Sequence, residues 1–427
     1  MLSIYADNFR GFSKTTIDFS RVNFLVGENS TGKTSILSLF SLLQDQTFWF
    51  GHEFNTAVVN LGYFDEISSG RADDRFTVGL GETELQTPFF EKRQRRYYLL
   101  EFSNRDNIPT LSSVRLRSAT IDVFVKWDGE KLIYGVETCH GTTPTFAEWV
   151  KSRLPDVSAE RTKGAIVDRL AQRPALHIFL QAIEEGFRDK RVHRMWDLFY
   201  PPFGSLSVAW IAPIRAKPKR TYDSFKVSFS PEGEHSPYVL KDLLTSRLRA
   251  HEAVKELKTF GKTSGLFKTI KIHSHGRGKT APFEIYIQVA GKPFKIANVG
   301  YGVAQVLPII VELISRQPDT WFSIQQPEIH LHPKAQAELG STIFSFAKDR
   351  GDRFLIETHS DYLIDRFRRE VHDSDESPDS QLLFFERSRK GNSVVPVIIA
   401  KDGSFAEAPP AGYREFFIRE QLSLLGI

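Results

Sequence analysis

The stretch Gly27-Glu28-Asn29-Ser30-Thr31-Gly32-Lys33-Thr34 constrains this chain more than any other. It fits the spacing G-x-x-x-x-G-K-[ST]. It follows VNFLVG, an unbroken apolar run suited to a buried strand, and precedes TSILSLFSLL, whose apolar spacing is helical. A strand that turns through such a loop into a helix calls for an α/β core. Phosphate chemistry explains the residue types. Glycines let backbone N–H groups curl around phosphate oxygens, the helix start adds partial positive charge, and Lys33 reaches the terminal phosphates. Thr34 offers a hydroxyl to Mg²⁺, and Ser35 continues the same helix start. A second Gly-Lys-Thr at 261–263 lacks its leading glycine, because position 256 is Glu.

The remaining sequence narrows the class. With 427 residues, 41% hydrophobic and 25% charged, composition predicts a soluble globular protein of one large domain or two to three smaller ones. The start MLSIYADNFRG has no basic region followed by a long apolar run. The longest apolar stretch, VLPIIVELI, contains Glu312 and is too short to span a bilayer. Cys139 alone cannot form an internal disulfide, so a reducing cytoplasm and no membrane are expected. Net charge is +4, yet residues 215–279 hold about fifteen Lys/Arg against about six Asp/Glu. That excess suits a solvated helical face, or an anionic partner such as nucleic acid.

Strand patterns occupy residues 2–27, and four more follow between about 76 and 138: RFTVGL, RYYLLEF, ATIDVFVKW and KLIYGVET, with Asp128-Gly129 as a hairpin turn. From about 146 to 199 the pattern reads as helical, beginning with FAEWVKSRL. Beyond the strand SLSVAWIAP come a helical run KDLLTSRLRAHEAVKELKTF and a strand pair, TIKIHS and FEIYIQV. A Gly-rich turn, a helix and three strands, WFSIQQ, RFLIETH and QLLFFER, complete the order. This divides the chain into 1–145, a first lobe with the loop and a β meander; 146–200, a helical insertion; 201–297, a strand and a basic helical lobe; 298–400; and a tail, 401–427.

The motifs NFRGF, VGENSTGKTS, NVGYGVAQVLPIIVEL (298–313), WFSIQQPEIHLHP (321–333) and FLIETHS (354–360) occur in that order, with weaker likeness in WIAPIR and SPEGEHSP. Together they resemble the ABC-type ATPases of the SMC, RecF and OLD group, including stand-alone AAA-type P-loop ATPases of bacterial anti-phage defence. The likeness runs from residue 2 to about 370. It implies an α/β head with a mixed central sheet, an antiparallel β subdomain and a helical lobe. Only about eighty residues separate WIAPIR from the glycine turn, too few for a long coiled coil.

The resemblance also implies ATP and Mg²⁺ as cofactors, and a homo-oligomer of two or more heads closed around ATP. Gly300 and Gly302 would contact the partner's nucleotide, with Asn298 and Gln305 flanking, although Ala304 stands where relatives commonly have serine. His359 matches the switch histidine that senses the γ-phosphate, and Arg215 stands where relatives join their lobes near the metal. His330 and His332, at i and i+2 of a strand, would face opposite sides and so do not suit one tetrahedral ion.

Gln325 matches the acid that orients Mg²⁺ and Gln326 the general base, a position where stand-alone relatives also carry glutamine. An amide at 325 keeps the shape of the acid and loses its charge and its ability to accept a proton. Binding without turnover is the expectation. Either a Glu-to-Gln exchange that traps ATP or a degenerate head would give it, and the intact loop favours the exchange. Glu328 and Glu357 are the remaining nearby acids. About seventy residues behind ETHS leave no room for the nuclease domain of OLD-type relatives. The implied role is therefore a switch subunit for a separate effector, a nuclease or toxin, whose partner surfaces would be 146–199 and 401–427. The competing role is an ATP-dependent DNA-binding repair protein gripping DNA through residues 215–279.

Overall fold

The computed structural model describes residues 2–51, 53–70, 74–85, 94–118, 121–128, 131–139, 142–155, 157–160, 207–223, 228–246, 250–276, 281–389, 391–410 and 412–413. Most of the 146–200 segment and all of the tail beyond 413 lie outside them, as does Gly129 of the expected hairpin turn. The chain divides into two compact units. One holds Met1–Ser20, Asn29–Leu206 and Glu386–Val394; the other holds Arg21–Glu28, Ser207–Phe385 and Val395–Ile427.

The first unit is built on an eight-stranded antiparallel sheet. Its spatial order is Thr15–Phe19, Leu2–Asp7, Arg75–Leu85, Gln94–Arg105, Ile108–Arg117, Ile121–Asp128, Lys131–Thr138 and Val157–Glu160. Alternating apolar residues place Phe76 and Phe102 on one face. They stack at 5.3 Å, with Phe54 edge-on to Phe102 at 4.9 Å. Strand Ile108–Arg117 was not expected, because its serines and Pro109 blur the pattern. Its signal is the turn before it: Asp106 (φ 53°) and Asn107 (φ 65°) are both left-handed, as a two-residue I′ hairpin requires. The helix begun by FAEWVKSRL stops at Lys151, and Val157–Glu160 is a strand rather than part of a helical piece.

A buried ion pair fixes that helix. Arg115 donates from Nε and Nη2 to the two carboxylate oxygens of Asp122 at 3.0 and 2.9 Å. Trp149 Nε1 donates to Asp122 at 2.6 Å, and Arg115 also bonds the Trp149 carbonyl at 3.2 Å.

The second unit centres on a six-stranded sheet in the order Val208–Ile211, Trp321–Gln325, Arg353–Glu357, Val22–Gly27, Ser380–Ser388 and Gly391–Ile399. The first five run parallel. Strands Val22–Gly27 and Trp321–Gln325 are buried throughout, which is why they read as continuous apolar runs. Strand Gly391–Ile399 also escaped the sequence reading; Pro396 interrupts its pattern and is tolerated at the sheet edge. Helices Ser236–Thr245, Ala250–Ser264, Tyr301–Ser315, Pro333–Asp349 and Asp361–His372 belong to this unit, with a small sheet of Thr269–Ser274, Phe283–Gln288 and Phe294–Lys295. Pro333–Asp349, 17 residues, is the longest helix among the described residues, and no coiled coil is present among them. No described helix is long and apolar enough to cross a membrane.

Replacing Asp122 with Ala leaves Arg115 charged in a site where its side chain is 4% exposed. Equilibrium denaturation is expected to register a loss of about 3–5 kcal/mol.

Candidate nucleotide site

The phosphate loop leaves the parallel sheet at Gly27, where φ is 136° and a Cβ would lie 2.2 Å from the Phe385 carbonyl oxygen of the neighbouring strand. Only glycine fits so close an approach. The chain passes between the two units after Glu28. Glu28, Asn29 and Ser30 are exposed, Thr31 and Lys33 are buried, Thr34 is exposed and Ser35 is half-buried. Ser30 (φ 63°) and Gly32 (φ 97°) supply the left-handed bends, and a Cβ on Gly32 would meet the Phe12 ring at 2.5 Å. Helix Lys33–Leu43 follows with no side chain capping its start and no acid in its first turn. A helix start of this kind favours an anion.

Within the second unit, the carboxyl ends of the parallel strands gather the other polar residues, as open α/β sheets do. Gln325 lies opposite Glu357, and its Nε2 donates to Glu357 Oε2 at 3.1 Å, both side chains being buried. Arg215 Nη2 donates to the Gln325 carbonyl at 3.0 Å. Arg215 is 2% exposed, its Nε and Nη1 have no partner, and burial brings its guanidinium down to about 10, against the pull of Glu328. Gln326 turns the chain at φ 42°, and its N–H bonds the Glu357 carbonyl at 2.7 Å.

Glu328 ties the next strand end into this edge. It accepts from Thr358 Oγ1 at 2.8 Å and from the His359 N–H at 2.7 Å; burial still pushes its carboxyl above the usual range. His359 is half-buried. Ser360 caps helix Asp361–His372 by accepting from the Leu363 N–H at 3.1 Å.

The glycine turn opens outward. Asn298 is exposed, Gly300 caps helix Tyr301–Ser315, and a Cβ on Gly300 would meet nothing within 4 Å. A Cβ on Gly302 would lie 2.8 Å from the His330 carbonyl oxygen, and Tyr301, 44% exposed, stands edge-on to the His330 ring at 5.0 Å. Gln305, expected beside Asn298, instead points inward: it is 2% exposed and its Nε2 reaches the Arg215 carbonyl at 3.5 Å. Ala304 is buried. His330 and His332 are not in a strand, because the strand stops at Gln325 and Gln326 and Pro327 turn the chain. His332 caps helix Pro333–Asp349 through its side chain.

One pair went unforeseen. His235, from SPEGEHSP, meets Glu312 of the glycine-turn helix at 2.5 Å, and Arg316 Nε bonds the same carboxylate at 2.8 Å. Burial raises Glu312, but the His235 and Arg316 bonds outweigh it and hold the carboxyl below its ordinary value. The signal was an acid inside an apolar helix, whose partner lies 77 positions away. Of the basic stretch, Arg215 and Lys241 are internal, whereas Lys255, Lys258, Lys262, Lys268 and Lys271 are exposed.

Two family models match the chain: "AAA ATPase domain" over residues 1–86 and "AAA domain, putative AbiEii toxin, Type IV TA system" over residues 232–365. The first spans the phosphate loop. The second spans the glycine turn, the Gln325 strand and His359. Both models describe AAA-type ATPase domains, families that use ATP with Mg²⁺. Similar solved structures include the SMC head domain from Thermotoga maritima, at 12% identity and TM-score 0.39, covering 92% of this chain and 98% of that one. Another is the Pyrococcus furiosus Smc head domain with an extended coiled coil bound to the C-terminal domain of ScpA, at 10% identity and TM-score 0.39, covering 100% and 99%. No curated protein matches the sequence.

Asp361 follows His359 and Ser360, and burial, with Asp365 nearby, pushes its carboxyl from 3.8 up to about 7. Between those values the unfolded chain releases a proton that the folded chain keeps, so stability falls as pH rises through that window and stays lost above it. Asp361→Asn is expected to melt higher than the unaltered protein at pH 8 and at the same temperature near pH 3, as thermal denaturation will show.

Proposed function

We propose that this ATPase is a nucleotide-gated switch subunit. ATP is held by Gly27–Thr34 with Ser35, Thr34 and residue 325 serve the Mg²⁺, and Asn298, Gly300 and Gly302 of a second copy cap the same nucleotide. His359 senses the γ-phosphate. The closed pair recruits or restrains a separate effector, a nuclease or toxin, in anti-phage defence. The observation that carries the reading is the open glycine turn: Gly300 has nothing beside it and Asn298 and Tyr301 are exposed, so a second head can approach the backbone there. The toxin–antitoxin description of the model matched by residues 232–365 supports the defence role.

Turnover is the weak step in this proposal. Gln325 is a buried amide that cannot accept the proton of attacking water. Binding is carried by the loop and Lys33, so nucleotide is held and released slowly. A second reading, ATP-dependent DNA binding, draws on the five exposed lysines between 255 and 271. DNA affinity that collapses with added salt in the absence of any partner protein would favour it.

Single-turnover hydrolysis separates trapping from mere weakness. Gln325→Glu is expected to hydrolyse bound ATP about 10²- to 10⁴-fold faster than the unaltered chain, the range of a positioned acid or base. Equal rates would remove the trapping proposal.

A further inference from the structure

A cavity of about 170 Å³ lies within the second unit, against the helix that carries the glycine turn, and none of its lining residues belongs to the phosphate loop. We propose that it is a second nucleotide site, which takes one nucleobase into the cavity and holds the attached phosphate at Lys217 and Lys219.

Unmet hydrogen bonding comes first. Ser236, which opens helix Ser236–Thr245, lines the cavity and is 3% exposed, and its hydroxyl has no partner among the described residues. A Cβ on Gly233 would lie 2.7 Å from the Pro308 Cβ and 3.2 Å from that hydroxyl oxygen. Gly233 and Pro308 line the cavity too, so the oxygen stands at its wall. A buried hydroxyl without a bond costs stability, and a use for it accounts for the cost. Pro308 adds the complementary group. It lies inside helix Tyr301–Ser315 and has no N–H, so the carbonyl of Ala304, another lining residue, loses its usual helical donor. A nucleobase edge carries a donor and an acceptor side by side, which suits one carbonyl and one hydroxyl.

Shape and charge agree with that edge. Tyr222 and Tyr238 stand edge-on at 6.1 Å on the cavity wall, and Tyr238 is half-buried, leaving part of its ring for a base to stack on. A cavity of roughly 150 Å³ holds benzene, so this one takes a single base and nothing much larger. Lys217 and Lys219 line it and are exposed, against one exposed acid, Glu234. Two cations beside one acid favour an anionic group, as a phosphate is. An aromatic side chain of a partner protein would fit the volume but would leave both lysines unused.

The test is calorimetric titration of the full chain carrying Lys33→Ala, so that the phosphate loop does not compete, with AMP, GMP, CMP and UMP and with their nucleosides. At least one monophosphate is expected to bind, and adding Ser236→Ala is expected to weaken it about 3- to 10-fold, the worth of one hydrogen bond. Ser236→Ala removes a group that has no partner, so its melting temperature should not fall. Replacing both Lys217 and Lys219 with Ala, at exposed positions, is expected to weaken the monophosphate about 3- to 10-fold and leave its nucleoside unchanged. Absence of binding by all four monophosphates at millimolar concentration overturns the proposal. So does affinity indifferent to Ser236→Ala, or equal weakening of nucleotide and nucleoside by the lysine changes. N-acetyltryptophanamide bound as tightly as the best monophosphate overturns it as well, in favour of a protein side chain. A tetranucleotide separates the two sources of the same chemistry: tighter binding than any monophosphate assigns the site to a strand, and weaker binding assigns it to free nucleotide, each supporting the site.

Discussion

A parallel sheet covered on both faces leaves polar chemistry nowhere to go except the ends of its strands, and that constraint organises the second unit. Strand Val22–Gly27 lies between Arg353–Glu357 and Ser380–Ser388 and is buried along its whole length. Its one internal polar side chain, Asn23, donates to the Phe354 carbonyl at 3.0 Å and accepts from Gln381 at 2.8 Å. Those bonds satisfy a fully buried amide and lock the register of three strands at once. With register locked, the positions of Gly27, Glu357 and Gln325 at the carboxyl edge follow.

That edge is also where the unit tolerates poorly satisfied groups. Two nitrogens of Arg215 are buried without partners, and Glu328 is held in a setting that disfavours its charge. Each such group costs stability, of the order of 1–3 kcal/mol for an unmade bond, and natural proteins keep them mainly at sites with a use. The interior of the same sheet is mostly Phe, Leu, Ile and Val, with Phe322 stacked on Phe354 at 5.4 Å.

Local chemistry was legible and distant pairing was not. The loop could be read because glycine spacing, a buried strand and a helix are all contiguous, and Gln325 could be placed because an apolar run ends on it. Strand Ile108–Arg117 was hidden by its serines, although Asp106 and Asn107 announce the turn before it. Gln305 reads as a flank of the glycine turn, yet one helical turn carries it from an exposed surface to a buried one facing Arg215. The Gln325–Glu357 bond depends on which strands become neighbours, and the His235–Glu312 pair on a loop returning to a helix; neither follows from periodicity. The two glutamines could be recognised as a departure from sequence alone, but the acid beside them became visible only through the sheet order.

The central claim is that one polypeptide supplies both the phosphate loop and the glycine turn that closes over a neighbour's nucleotide. Mass measurement in solution, with and without ATP and Mg²⁺, tests it most directly. ATP with Mg²⁺ should double the mass of the particle or raise it further, and Gly300→Arg should abolish that rise while leaving nucleotide binding intact. A chain whose mass is the same at saturating nucleotide as without it would contradict the account.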